Sequence, residues 1–224
     1  MVHEKLRGVG AVARRKKKGR RSLPRPLRLP AILAGIALVL LGVWLLVSRN
    51  SAPAPAAVAP DWVEQALLPI NEYSRAGETL EAVNGIVIHN TGNPGTTAAQ
   101  NRSYFAGLAD SHETHASSNF IVGLKGEVLQ VVPSDEVAYA SSQRNYDTLS
   151  IEVCHADDTG EFGDATMESL VELVQWLVDY FKLDRDQVIR HYDVTGKECP
   201  LWYVQHPEDW ETFLDRIDFS HENK

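Results

Sequence analysis

The apolar positions of this chain fall into three patterns: one long unbroken run, several short β-branched runs, and stripes of helical period. The unbroken run is residues 31–47, seventeen residues without a charge. Further on, Gly85-Ile86-Val87-Ile88-His89 follows the turn pair Asn84-Gly85 and predicts a buried strand ending on His89. Residues 96–110 set Ala99, Tyr104, Phe105 and Leu108 on one helical face, with Thr96 or Thr97 as cap. Two apolar runs, 119–124 and 127–132, flank Lys125-Gly126 and read as a hairpin with a two-residue turn. Residues 149–154 predict another strand. Residues 167–181 place Met167, Leu170, Val171, Val174, Leu177, Val178 and Phe181 on one stripe, with Asp164 or Thr166 as cap. Residues 187–191 predict a short strand ending on His191, and residues 206–217 a closing helix with Pro207 near its start.

The order β-α-β-β-β-α-β-α predicts an α/β domain: a central mixed β-sheet flanked by helices, preceded by one transmembrane helix. His89 and His191 end two separate strands, and strand ends in such sheets are where sites form. No internal repeat is visible.

Charge changes the picture by dividing the chain. Residues 1–28 hold eleven of the 22 Lys and Arg residues and one acid, Glu4; the remainder holds 11 basic and 29 acidic residues, a net of −18. A seventeen-residue apolar run is at the short end of what crosses a bilayer core. Beside so many cations it reads as a signal-anchor, with residues 1–30 cytoplasmic, 31–48 in the membrane and the rest outside. A secreted form is the rival, cleaved near Ala56 after Ala54-Pro55, but the basic region is longer than signal peptides carry. The basic run has the composition of a nucleic-acid patch, yet beside an apolar span it is more simply an orientation signal that attracts anionic lipid. No nucleic-acid partner is expected. Residues 49–60 are Ala/Pro-rich and read as a stiff tether. The working domain is then 61–219, with 220–224 a tail.

Candidate chemistry lies in three places. A hydrolytic zinc site keeps three protein ligands and one open position, and His89, His191 and Cys199 are the residues of suitable type. His191 and Cys199 stand eight residues apart, with Thr195-Gly196 inviting a turn between them. A Cys154–Cys199 disulfide is the alternative outside the cytoplasm, and the residues alone leave both open. His112, His115, His155, His206 and His221 read as surface or rim histidines, His115 and His155 most plausibly at a cleft rim. The acid-rich stretch 155–164 lacks the spacing of a calcium loop and reads as a turn. Trp62, Trp176, Trp202 and Trp210 read as packing residues, with Trp202 placed to line a groove.

The segments "GIVIHNTGNPGT", "HASSNFIVGLKGEVLQVVP", "DTLSIEVCH" and "IRHYDVTGKECP" together resemble the zinc-dependent N-acetylmuramoyl-L-alanine amidases of the amidase-2 type, whose fold is shared by peptidoglycan recognition proteins. The resemblance covers about residues 70–218. It implies one zinc held by His89, His191 and Cys199. It implies Glu152 as the catalytic carboxylate and Lys197 as the residue that stabilises the oxyanion. Some members use a tyrosine just before the "FIV" strand, where this chain has Ser118 and Asn119; Glu152 then carries the role alone. The implied partner is peptidoglycan. The implied reaction is hydrolysis of the amide between the N-acetylmuramic acid lactyl group and L-alanine. The alternative is a peptidoglycan-binding module of the same fold that does not cut. Such modules typically lack a zinc ligand, whereas all three are present here.

Overall fold

The computed structural model describes residues 33–39 and 56–220. Residues 33–39 are helical. Among the described residues no helix is long and apolar enough to cross a membrane. The expected span at 31–48 lies, apart from 33–39, outside the described residues, as do residues 1–30 and His221. Residues 56–60, expected in the tether, are part of the folded unit: Ala57 is buried, and its N–H donates to Ser134 Oγ at 2.8 Å.

Six strands form one mixed sheet: β1 (Val63–Gln65), β2 (Ile86–Asn90), β3 (Phe120–Val122), β4 (Val128–Gln130), β5 (Leu149–Val153) and β6 (Val188–Arg190). Their spatial order is β1-β4-β3-β5-β2-β6. Strands β3, β5, β2 and β6 are mutually parallel, whereas β4 runs antiparallel to β3 and carries β1 beside it. The helices are α1 (Ala98–Ser111), α2 (Asp164–Phe181), α3 (His191–Thr195), α4 (Leu201–Gln205) and α5 (Pro207–Leu214).

Strand side chains alternate between faces, and the sheet buries both. Ile86, Ile88, Phe120, Val122, Ile151 and Val153 share one core with Leu170, Leu173, Val174, Leu177 and Val178 of α2. Ile121, Leu129 and Cys154 share a second core with Ala98, Phe105 and Leu108 of α1. Each fully buried Leu, Ile or Phe contributes roughly 1.5–3 kcal/mol by leaving water. His89 and Glu152 have the parity opposite to Ile88 and Ile151. They therefore stand on the α1 face, at the C-terminal ends of β2 and β5.

Several local expectations are corrected. In α1 the capping box of Thr97 and Gln100 forms, but Ala98 is the buried alanine rather than Ala99, and Tyr104 is exposed. In α2 the cap is Gly163; Asp164 is the first helical residue, and buried Thr166 donates its hydroxyl to Gly123 O at 3.0 Å. The β3–β4 turn spans three residues, Leu124 to Gly126: Gly123 N donates to Glu127 O across it, and Gly126 adopts φ +84°. His191 does not end a strand: β6 stops at Arg190 and His191 opens α3.

Candidate active site

Three parallel strands deliver the site. β2 and β5 pair so that His89 lies directly opposite Glu152. β6, on the other side of β2, ends beside them and hands the chain to His191. Arg190 fixes that handover: its backbone N–H donates to Asp193 Oδ2 at 2.9 Å, and its guanidinium donates to Asp193 and to Tyr203 O. Gly196, at φ +79°, ends α3 in the left-handed conformation, and Tyr192 N then donates to Cys199 O at 2.9 Å. The returning loop sets the Cys199 thiol beside β2.

The ligand atoms of His89, His191 and Cys199 all lie within 4.8 Å of one another, and all three residues are buried. Cys199 Sγ is 3.9 Å from His89 Nδ1, and the two imidazole centroids are 4.5 Å apart. His89 Nε2 meets buried Ser141 Oγ at 3.2 Å. His191 Nδ1 is buried without a hydrogen-bond partner, and so is Glu152 Oε2. A buried polar atom left unpaired is costly, and here two such atoms belong to one site. Cys154 and Cys199 are free thiols in different surroundings, Cys154 within the α1-side core and Cys199 beside His89.

Burial and charge leave both imidazoles in the neutral form that ligates a metal, and keep the Cys199 thiol protonated in the metal-free protein, so that ligation would release its proton. Burial, then the neighbouring His191 and Lys197 charges, hold His89 well below its ordinary value, so its imidazole is neutral. Burial, then Lys197, lowers His191 likewise. Burial pushes the Cys199 thiol up to about 12, with Glu152 adding to the rise, while the Asn90 N–H and Lys197 oppose it. Burial also raises Glu152 to about 8, against the pull of Lys197. Lys197 is itself exposed at the rim, and its charge is felt at all four groups. Two neutral imidazoles and a thiol are a nitrogen and sulfur donor set of the kind zinc takes, so the residues present fit that ion.

Ser118 and Asn119, at the positions where some relatives have a tyrosine, are fully buried. Asn119 Nδ2 donates to Pro133 O and Glu136 O, and its Oδ1 accepts from Ser150 N; these bonds tie β3 to its neighbours. His155 is not a rim residue. It is 4% exposed, with Nδ1 2.7 Å from Asp157 O and Nε2 2.8 Å from Thr91 O. His115 is exposed, lies tilted against Tyr73 and meets Tyr139 edge-on, and His112 stacks on Tyr73. Trp202 packs on the core as a half-buried residue, stacks on His206, and its indole N–H donates to Asp209. Sequence reasoning missed Asn90, whose contacts reach 109 and 111 residues along the chain, and Ser141; neither belongs to a motif that periodicity or charge picks out.

The fold and cluster define a class first: an α/β domain with a buried His/His/Cys site at the C-terminal ends of parallel strands. Comparison with known proteins then gives the family. The sequence profile of the N-acetylmuramoyl-L-alanine amidases of the amidase-2 type matches residues 79–202, and the chain belongs to that family. A probable N-acetylmuramoyl-L-alanine amidase of Bacillus licheniformis is 34% identical over 161 residues, 66% of this chain and 45% of that protein. The amidase CwlL of the same organism is 32% identical, over 69% of this chain and 46% of its own length. The chain thus spans about half the length of the curated relatives it matches. The solved catalytic domain of XlyA shares the fold, with a TM-score of 0.59 at 24% identity, over 70% of this chain and 99% of that domain.

Proposed function

We propose that the chain is a zinc-dependent peptidoglycan amidase that hydrolyses the bond between the lactyl group of N-acetylmuramic acid and L-alanine of the stem peptide. One observation carries the reading. In a domain of this family, two buried atoms without partners, His191 Nδ1 and Glu152 Oε2, flank a His/His/Cys cluster. His89, His191 and Cys199 would hold the ion. A bound zinc supplies Lewis-acid chemistry, polarising the scissile carbonyl and making water more acidic.

The chain's own residues do the rest. Glu152, as the carboxylate, accepts a proton from the attacking water and returns it to the leaving amine; burial raises it to about 8 in the metal-free protein, and a cation held by the cluster would bring it back toward ionisation. The Lys197 ammonium, at the rim, faces the developing oxyanion and stabilises its charge by roughly 3 kcal/mol. Ser141 holds the ring of His89 through Nε2. The products are a glycan bearing a free lactyl carboxylate and a peptide with a new N-terminal alanine.

The same reading puts the enzyme on the cytoplasmic membrane of a bacterium. Residues 31–48 are the anchor, residues 1–30 are cytoplasmic, and the domain faces the wall. The support is the uncharged run at 31–47 with eleven cations before it.

The test is to incubate the purified full-length chain in mild detergent with peptidoglycan and to count new N-terminal alanines and zinc per chain. About one zinc and steady release of N-terminal alanine are expected. Binding to peptidoglycan without release would make the chain a recognition module and overturn the enzyme.

A further inference from the structure

Asn90 joins the two halves of the metal cluster. It directly follows His89 on β2, and its backbone N–H donates to Cys199 Sγ at 3.4 Å. Its side-chain Oδ1 accepts from Leu201 N at 2.8 Å. Leu201 is the first residue of α4, whose N-cap position is Pro200, a residue with no side-chain acceptor to offer. A side chain 111 residues away therefore supplies the cap that the local sequence lacks. The remaining amide group of Asn90 is used as well: Nδ2 donates to Thr91 O at 3.0 Å and lies 3.4 Å from His155 Nε2. His155 in turn sits between Thr91 O and Asp157 O, and Gly95 N donates to His155 O. The end of β2, the end of β5 and the 199–201 loop are thereby tied through one asparagine.

We infer that Asn90 is a positioning residue for the metal centre: it sets the Cys199 thiolate against His89 by holding the loop at both Sγ and Leu201 N. The chemistry asks for asparagine in particular. Alanine keeps the backbone N–H but leaves Leu201 N without its acceptor. Aspartate keeps the acceptor, but turns a second oxygen toward Thr91 O and adds negative charge beside a thiolate.

The inference rests on the reading of His89, His191 and Cys199 as zinc ligands, and the experiment separates the two. Zinc affinity is measured on the full-length chain by competition with a chromophoric chelator, for wild type, Asn90→Ala and Thr166→Ala. Thr166 caps Gly123 O from α2 and is buried away from the cluster, so its loss controls for general weakening. Supporting hydrogen bonds around metal ligands typically affect affinity about 10- to 100-fold, so Asn90→Ala should raise the zinc Kd by at least about 10-fold. Thr166→Ala should leave the Kd within about twofold. With cobalt in place of zinc, Asn90→Ala should also weaken the thiolate charge-transfer band, a signature of Cys199 that a loss of overall stability does not move. A wild-type chain that takes up no zinc overturns the ligand reading and this inference together. A wild-type chain that binds zinc overturns this inference alone if Asn90→Ala binds equally tightly or Thr166→Ala weakens binding as much.

Discussion

A carboxyl such as Glu152 is expensive to keep ionised without partners. Burial raises it to about 8 in the metal-free protein, with Lys197 only partly opposing. The sign of the effect on stability follows from linkage. The unfolded carboxyl titrates near 4.5, so between about 4.5 and 8 folding takes up a proton and stability falls as pH rises; below 4.5 there is no penalty. At pH 7 the cost is on the order of 3 kcal/mol. Glu152→Gln removes it. In urea unfolding with chelator present, the variant should be more stable than wild type at pH 7 to 8, and the two should converge near pH 4. With zinc loaded, the same variant should lose about 10²- to 10⁴-fold in rate while keeping its metal. Cys199→Ser should lose both. If Cys199→Ser retains metal and activity, the ligand set is wrong. At this scale His89, His191 and Cys199 stood out as candidates by residue type, and the structure brings them together, whereas Glu152 and Lys197 came only through the family resemblance. Asn90 and Ser141 were not, since what they do depends on partners that only folding brings near.

Among the elements, the hairpin shows how far a pattern reaches. Two short apolar runs mark β3 and β4, but they do not measure the loop, which depends on a single backbone angle. Gly126 sits at φ +84° with its position pressed on the first turns of α2: an added Cβ would lie 2.9 Å from Ala165 O and 2.7 Å from Ser169 Oγ. Backbone oxygen does not yield as a flexible side chain does. Gly126→Ala should therefore cost about 1–3 kcal/mol, read as a lower urea midpoint with unchanged slope. Its zinc content should remain that of wild type, because the hairpin tip is not part of the cluster. The elements that sequence missed are the shortest. β1 has three residues with only Val63 buried, and α4 has five; neither is long enough to display a period. Helix α2, with eighteen residues, displayed its stripe clearly, although Leu173 completes it and the cap belongs to Gly163.

For the whole domain, the cluster is a long-range tie. His89 lies on β2, between β5 and β6, whereas His191 and Cys199 lie about a hundred residues later, after the last strand. An unfolded chain does not hold these three groups together, so an ion that binds them binds the folded state and stabilises it by mass action. At free zinc 100 times its Kd the gain is about 2.7 kcal/mol. For a domain of this size each kcal/mol moves the melting temperature by roughly 2–4 °C, so saturating zinc should raise Tm by about 5–11 °C over the chelated protein. The shift should grow with the logarithm of free zinc. Cys199→Ser should abolish most of it, while Lys197→Ala, which removes an exposed charge and no ligand, should retain it. A Tm that ignores zinc in the wild type, while peptidoglycan is still cleaved, would mean that the chemistry does not run through this cluster.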